Sequence, residues 1–280
     1  MRLAAATFAL LAAAPAAAQT GAPATEPAQQ PDTGGDRITI ALGAATVPEF
    51  EGADSNQIIP AAAIVGNAGG LGFFTRGTQL YVDLVPDRPG PGVNFELGPI
   101  AAIRLDRTNR VDDRQIRALG RIDTAWEVGG FVGVSRTGVV TSDYDVLTAR
   151  VAYLRDVSDT YGSYVLTPQV NYTTPLSTRT LVSLGFSADY VGRGYGRTYF
   201  SVTAPQSIAS GLPAYDAADD GWRRINAQFF AVQSLSGDLR RGFGIGAGVL
   251  YGRLLGRYKD SPIVREKDQW SAAAGLTYTF

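Results

Sequence analysis

The final stretch of the chain, residues 270–280, constrains the fold most, because its side chains alternate between two chemical classes. One face carries Trp270, Ala272, Ala274, Leu276, Tyr278 and Phe280. The opposite face carries Ser271, Ala273, Gly275, Thr277 and Thr279. A period of two residues predicts a β-strand. Apolar side chains opposite small polar ones, with aromatic residues at both ends, are typical of a transmembrane β-barrel strand. The alternative is a buried strand of a soluble sandwich.

The aromatic end of this strand also predicts how the protein is assembled. Outer-membrane barrels commonly end in an alternating aromatic pattern that the barrel assembly machinery reads. We interpret Leu276, Tyr278 and Phe280 as this assembly signal. The sequence therefore predicts two partners for the barrel, namely outer-membrane lipid and the assembly machinery.

The N-terminus has the layout of a secretory signal peptide. Met1 and Arg2 precede an apolar run, and three alanines stand before Gln19. This layout predicts a signal peptide over residues 1–18, cleaved after Ala18. Residues 19–36 are rich in Pro, Gly, Ala and Thr without periodicity, which predicts a disordered periplasmic leader. The barrel then occupies residues 37–280, and the expected location is the cell outer membrane.

Composition excludes several classes of function. The chain has Cys 0, so a disulfide-stapled fold and a cysteine nucleophile are excluded. With His 0, catalytic triads and histidine metal sites are impossible. A formal net charge of −1 gives no signal for nucleic-acid binding. The sequence predicts no enzyme, no catalytic residues, no cofactor and no metal site.

Alternating segments recur along the whole chain and predict an all-β, antiparallel transmembrane barrel of about twelve strands. The predicted strands are residues 38–45, 57–65, 71–85, 93–105, 122–134, 144–154, 161–173, 181–190, 197–203, 223–235, 243–255 and 270–280. The third carries a possible interruption near Arg76 and Gly77.

Charged residues of these strands fall on the face opposite the apolar one, as lipid exposure of the apolar face requires. This pattern assigns six residues to the lumen: Glu96, Arg104, Asp123, Glu127, Arg150 and Asp189. They could line a solute path, and in a barrel of this size they could equally pair and plug it.

One connecting segment, residues 106–121, is long and highly charged. With periplasmic termini, the predicted strand count places this segment in the periplasm, and an error in that count would place it outside. Its mixed charges offer no evident apolar patch, which favours a polar docking surface. The docking candidates are Arg107, Arg110, Asp112, Asp113, Arg114 and Arg117. A solvated loop without a partner is the alternative.

Several short motifs support a resemblance to a known family. They are PEFEGAD at 48–54 followed by Pro60, GGFV at 129–132, YFSVT at 199–203 with SGLPAYD at 210–216, and DSPIV at 260–264. In this order and spacing they resemble the MipA/OmpV family of outer-membrane proteins. Two departures are Tyr161-Gly162, where many members have Gly-His, and Phe50, where Tyr is commoner.

The resemblance implies an outer-membrane barrel, and one member of the family is described as a scaffold. That member brings a periplasmic murein transglycosylase together with a peptidoglycan synthase. The first hypothesis is therefore a non-enzymatic scaffold for cell-wall enzymes, and the second is a narrow pore for small solutes. An enzyme would need a carboxylate pair such as Glu49 with Glu51 or Asp219 with Asp220.

Overall fold

The alternating segments form antiparallel strands in the computed structural model, which describes residues 35–88, 90–108 and 111–280. The predicted signal peptide, most of the leader and Arg110 lie outside these residues. The strands are β1 (Arg37–Pro48), β2 (Asn56–Ala68), β3 (Leu71–Arg76), β4 (Gln79–Asp83), β5 (Gly92–Arg104), β6 (Ala125–Thr137), β7 (Val146–Asp156), β8 (Tyr164–Pro175), β9 (Thr180–Val191), β10 (Gly221–Ser234), β11 (Gly242–Leu254) and β12 (Asp268–Thr279).

The sheet closes because the last strand pairs with the first. β12 joins β1 from the pair Thr39 and Thr279 to the pair Thr46 and Ala272. Each other strand lies between its neighbours in sequence, so the sheet is a closed antiparallel barrel. Closure removes the two outer edges of the sheet, as a lipid environment requires. The predicted fold class, an antiparallel barrel of about twelve strands, is confirmed.

The two faces of the barrel wall differ as the sequence predicts. Large apolar side chains such as Leu184, Ile245 and Leu276 are exposed on the outside. Aromatic pairs lie near both rims of the barrel: Tyr190 with Trp222 and Tyr251 with Trp270 at one rim, and Tyr278 with Phe243 and Phe280 at the other. Such belts are typical of the two membrane interfaces.

The two ends of the barrel are built differently. The end that carries Arg37 and Thr279, called here the terminal end, has connections that include the short turns 69–70 and 176–179. The opposite end carries loops 49–55, 105–124, 157–163, 192–220 and 255–267, which together form what we call the lid. The lid contains helices α1 (Arg114–Ala118), α2 (Arg193–Phe200), α3 (Ala204–Ser210) and α4 (Gly256–Lys259). Among the described residues, no helix is long and apolar enough to cross a membrane.

Two of the predicted strands were wrong. One is a hairpin of two strands and the other is not a strand, so the number of strands is still twelve. Residues 71–85 form the short hairpin β3–β4, whose turn uses Gly77 at φ 57. Residues 197–203, predicted as a strand, lie in and after α2, whose aromatic side chains are buried in the lid. The apolar residues of this segment suggested a strand that faces lipid. In the structure they pack into the core of the lid.

The first of these errors changes the position of residues 106–121. With β3 and β4 counted separately, the segment follows the fifth strand and lies at the lid end, opposite the termini. The prediction that it lies on the same side as the termini was therefore wrong. The segment also buries Val111, Ile116 and Leu119, so the view that it offers nothing apolar to pack was wrong too.

Candidate functional site

The lid closes one end of the barrel with two apolar clusters. The first cluster packs Tyr161, Tyr195, Tyr199, Phe200 and Tyr258 against the ends of the strands. The second cluster joins the loops to one another through Phe50, Val111, Ile116, Val202 and Ile263. Burial raises the pKa of Tyr258 to about 12, so this phenol stays protonated and donates to the Asp219 carbonyl at 2.9 Å. The lid is thus a packed core and not a set of open loops.

A buried ion cluster lies directly beneath the lid. Glu51 accepts hydrogen bonds from the guanidinium groups of Arg223 and Arg224, the latter at 3.0 Å. The Tyr195 hydroxyl donates to the other oxygen of Glu51 at 3.1 Å. Arg223 also donates to Asp189 at 2.7 Å. One carboxylate from the first loop therefore joins the lid to the strands β9 and β10.

A second ion pair, on β5 and β6, completes this cluster. Arg104 of β5 donates to both oxygens of Glu127 of β6, at 2.7 and 3.2 Å. The Tyr161 hydroxyl donates to the same carboxylate at 2.7 Å. The Tyr195 ring lies between two cations, because the guanidinium carbons of Arg104 and Arg223 are each 5.0 Å from its centroid. Paired charges and stacked rings leave little free space across this layer.

The paired arginines of β10 depend on an irregularity in the strand. The register between β9 and β10 shifts between Trp222 and Arg224. In a regular strand one of two neighbouring residues faces lipid, but a β-bulge lets both turn inward. Arg223 and Arg224 are both buried, at 4% and 0% exposure. Alternation alone does not reveal this pair, although two adjacent arginines next to an interfacial tryptophan are a signal for a bulge.

Half of the lumen is filled below the ion cluster. Arg150 of β7 donates to Glu96 of β5 at 2.7 Å. Its guanidinium carbon lies 4.6 Å from the ring centroid of Phe74, 5.3 Å from that of Phe131 and 5.8 Å from that of Tyr81. This arrangement places one cation in an aromatic cage and fills the space between β3 and β7.

The other half of the lumen holds a chamber of about 360 Å³. Most of its wall comes from β1, β2, β10, β11 and β12, with further lining residues such as Arg76 of β3 and Ile103 of β5. It extends from Arg104 and Arg223 to Gly242 and Thr279 at the terminal end. The small residues of β11 make room for one large side chain, because a Cβ at Gly248 would lie 2.6 Å from the Phe230 ring. The chamber stops at the ion cluster beneath the lid.

Five of the six predicted lumen residues have their side chains inside the barrel. Glu96 pairs with Arg150, and Arg104 pairs with Glu127, while Asp189 pairs with Arg223. Asp123 is different, because β6 begins only at Ala125 and Asp123 is an exposed residue of the preceding loop. The prediction of a lumen position for Asp123 was wrong.

The predicted docking residues belong to the lid. Arg107 is buried and donates to the carbonyls of Thr198 and Tyr199, at 3.0 and 3.1 Å. Burial lowers the pKa of Arg107 and raises that of the neighbouring Asp106. These contacts attach the segment to α2.

The remaining docking candidates lie near α1. Asp113 caps the N-terminus of α1 and pairs with Arg265 at 3.1 Å. Asp112 donates its N–H to Glu49, and Arg117 donates to the Val111 carbonyl at 3.3 Å. Arg114 is exposed. The segment is therefore integrated into the lid.

The carboxylate pairs that an enzyme would need are engaged in structural contacts. Glu49 accepts the Asp112 N–H, and Glu51 belongs to the ion cluster. Asp219 pairs with Arg257 at 2.7 Å, while Asp220 accepts the Tyr164 hydroxyl at 3.2 Å. Within the described ranges, no group of three or more acidic, histidine or cysteine side chains could hold a metal ion.

The sequence matches the model of one protein family over most of its length. The model described as "MltA-interacting protein MipA" matches residues 40–280. The chain belongs to the MipA family. The predicted family is thereby confirmed, and the match runs from Ile40, within β1, to Phe280. No curated protein matches the sequence.

Solved structures with a similar fold are outer-membrane proteins. The channel DcaP of Acinetobacter baumannii is 11% identical, with a TM-score of 0.40 over 91% of this chain and 100% of that chain. An outer-membrane channel from Pseudomonas putida F1 is 12% identical, with a TM-score of 0.43 over 88% of this chain and 96% of that one. At these identities the likeness of the MipA barrel to the two channels concerns the fold alone.

Proposed function

We propose that this outer-membrane barrel is a non-enzymatic scaffold that is closed to the outside and binds a murein-remodelling enzyme in the periplasm. The observation that carries the proposal is the ion cluster of Glu51, Arg223 and Arg224 beneath the packed lid. A barrel closed in this way is poorly suited to passive diffusion. The family description, an MltA-interacting protein, supports a murein transglycosylase as the partner.

The orientation of the barrel follows from its connections. Outer-membrane barrels have short periplasmic turns and longer extracellular loops. The terminal end has the turns 69–70 and 176–179, whereas the lid contains loop 192–220. We therefore place the terminal end in the periplasm and the lid outside. Residues 106–121 then face the medium, so they are unsuitable as a docking surface for periplasmic enzymes.

The terminal end offers a different docking surface. Val140 and Tyr144 are 75% and 58% exposed on the turn between β6 and β7. Leu176 and Leu235, on two other turns of the same end, are 64% and 61% exposed. Exposed apolar groups surrounded by charged residues such as Arg240 have the make-up of a protein interface with a polar rim. This surface would face the periplasmic enzymes, including a peptidoglycan synthase bound beside the transglycosylase.

Site-specific cross-linking in cells tests the scaffold directly. A photo-crosslinking amino acid at Val140 or Tyr144 is expected to capture a murein transglycosylase. The matched control is Ile208 on α3, which is 88% exposed at the opposite end. Capture from Ile208 alone, or from none of the three positions, would overturn the proposal.

Protease treatment of intact cells tests the orientation separately. Arg114 is exposed at the start of α1 in the lid. External trypsin is therefore expected to cleave after Arg114, whereas Arg240 at the terminal end should stay intact. The reverse pattern would place the lid in the periplasm.

A narrow pore is the second candidate function. The chamber of about 360 Å³ reaches the terminal end, and only the layer from the ion cluster to the lid separates it from the opposite side. Movement of the lid would convert the chamber into a path for small solutes. Ion conductance distinguishes this function from a closed scaffold.

A further inference from the structure

The barrel wall has a gap beside β2. β2 spans Asn56–Ala68, but it pairs with β3 only from the pair Val65 and Phe74 to the pair Ala68 and Leu71. At Ile64 the ladder ends, because the backbone N–H and carbonyl of Ile64 contact the side-chain hydroxyl of Thr75 instead of a strand backbone. Within the described part of the chain, residues 56–63 pair with β1 on one side and with no strand on the other.

Pro60 fits this unpaired edge. The backbone groups of Ile64 face β3, and successive residues of a strand direct these groups to alternate sides, so those of Pro60 face the same way. Proline has no N–H to donate and is confined to the edges of sheets. A proline that faces a paired neighbour would remove a ladder hydrogen bond, whereas here it costs none. The sequence of β2 is thus suited to a wall that is open at this point.

The gap is bounded on every side and forms what we call the window. The turn of the β3–β4 hairpin lies below it, where Ile103 of β5 donates to the Thr78 carbonyl at 3.2 Å. The lid lies above it, where the Glu51 N–H donates to Asp106 at 3.3 Å. Asn56, at the upper end of β2, donates to the carbonyl of Trp270 in the aromatic belt of the lid end at 3.1 Å. The window therefore opens in the half of the wall nearer the lid, within the apolar belt.

The window leads into the chamber. Residues from its margins, including Ile59, Ala61, Thr78 and Ile103, also line the chamber. The facing wall is apolar as well, with Phe230, Val232 and Ala273. A volume of about 360 Å³ is within the usual range of ligand pockets, about 300–1,000 Å³. Small and apolar walls suit a hydrocarbon chain better than a polar solute.

A cation lies where the chamber meets the hairpin. Arg76, which precedes the hairpin turn, lines the chamber and is 6% exposed. Its Nη2 donates to the Ser187 hydroxyl at 3.0 Å, while its Nε has no hydrogen-bond partner. Among the described residues, no carboxylate forms a salt bridge with Arg76. A buried guanidinium with an unused donor is costly unless an anion compensates it.

The buried charged groups at this end of the chamber have a net charge of one positive unit. The carboxylates of Glu51, Glu127 and Asp189 are engaged by Arg104, Arg223 and Arg224. Asp189 attracts Arg76 electrostatically, but it accepts its hydrogen bonds from Arg223, Thr167 and Asn226. Counting Arg76 and the buried pair of Arg107 and Asp106, five guanidinium groups therefore face four carboxylates at this end of the chamber. The excess matches a single anionic head group.

We propose that the chamber binds a single-chain amphiphile with one anionic head group, which reaches it from the membrane through the window. The head group binds Arg76, and the hydrocarbon chain lies along Ala61, Val65 and Phe230. The gap beside the unpaired edge of β2 gives the chain a lateral route from lipid to the chamber. This site is independent of the scaffold at the terminal end.

Photolabelling in lipid nanodiscs tests the site, with dodecanoic acid carrying a terminal diazirine as the probe. Labelling is expected on inward residues such as Ala61 and Phe230, in addition to the general labelling of the outer face. Arg76→Gln should reduce the inward labelling about tenfold, as expected for a charge-assisted hydrogen bond. Arg76→Lys should retain most of it, and Arg253→Gln, outside the chamber, should change nothing. The corresponding diazirine alcohol should label the inward residues weakly and equally in all variants.

A second pair of variants keeps the test informative if Arg76→Gln does not fold. Ala61→Trp fills the chamber beside the window, whereas Ala247→Trp adds the same ring on the outer face of β11. Only Ala61→Trp should abolish inward labelling. Labelling confined to outward residues such as Ile58, or inward labelling that is equal in all folded variants, would overturn the proposal.

Discussion

The hydroxyl of Tyr195 donates a 3.1 Å hydrogen bond to the carboxylate of Glu51, and this contact joins the first lid loop to helix α2. Burial raises the pKa of Tyr195, so the phenol stays protonated and remains a donor. Glu51 also engages Arg223 and Arg224 of the barrel wall. The lid therefore depends on one buried carboxylate that contacts both helix α2 and the barrel wall.

Removing the charge of Glu51 should destabilise the barrel strongly. Glu51→Gln keeps the volume but removes the carboxylate that pairs with both Arg223 and Arg224, of which Arg223 keeps Asp189, and we expect this to lower the free energy of unfolding by about 3–5 kcal/mol. Asp219→Asn is the control, because Asp219 and Arg257 form an exposed pair worth about 0–1 kcal/mol. Urea unfolding in lipid vesicles, followed by tryptophan fluorescence, measures both. Similar losses in the two variants would contradict a structural role for the ion cluster.

Arginine substitutions test which face of the wall meets lipid. Leu184 is exposed on the outside, so Leu184→Arg should cost about 2–4 kcal/mol near the bilayer midplane. Ala273 lines the chamber, where the longer side chain of Ala273→Arg has room and does not face lipid. The same unfolding measurement should find Ala273→Arg clearly milder. Gly275 is unsuitable as a lumen control, because a Cβ there would lie 2.4 Å from the Leu42 carbonyl oxygen.

The turn between β6 and β7 should make stability depend on pH. Burial alone would raise the pKa of Asp145, but the Tyr172 hydroxyl and the N–H groups of Thr141, Val139 and Val140 outweigh it and hold the pKa well below its usual range. The stabilisation is therefore complete above the unfolded pKa of about 3.9 and is lost as pH falls toward the folded value.

The matched variant for this turn is Asp145→Asn. At neutral pH it should be less stable than the parent by about 2 kcal/mol, because charge-assisted hydrogen bonds are lost. As the pH is lowered below about 4, the parent loses stability and the difference should shrink. Unfolding at several pH values checks this, and a difference that does not change with pH would contradict the assignment.

The wall of the barrel was largely predictable from the sequence because lipid enforces strict alternation. In β12 the outward Leu276 and Tyr278 and the inward Thr277 lie as the pattern indicates. The hairpin β3–β4 was harder to predict, because the turn at Gly77 interrupts an otherwise continuous strand pattern. Because that turn was missed, residues 106–121 were assigned to the terminal end of the barrel, whereas they lie at the lid end.

The ion cluster was only partly predictable. Arg104, Glu127 and Asp189 stand at inward positions of regular strands, and alternation places them in the lumen. Arg223 and Arg224 escape this rule, since a β-bulge turns two neighbours to the same side. Glu51 lies in a loop, where no periodicity indicates that the chain folds back over the barrel.

Single-channel recording in planar bilayers tests the central claim, that the lid closes the barrel, most directly. The parent protein is expected to insert without stable conductance steps, because the ion cluster and the lid core block the chamber at one end. Deletion of lid residues 193–218, which removes α2, α3 and the Tyr195 ring between Arg104 and Arg223, should produce steps in a barrel that still folds, as judged by heat-modifiable migration on gels. Steady conductance by the parent protein, equal to that of the deletion variant, would contradict a closed barrel and favour the pore.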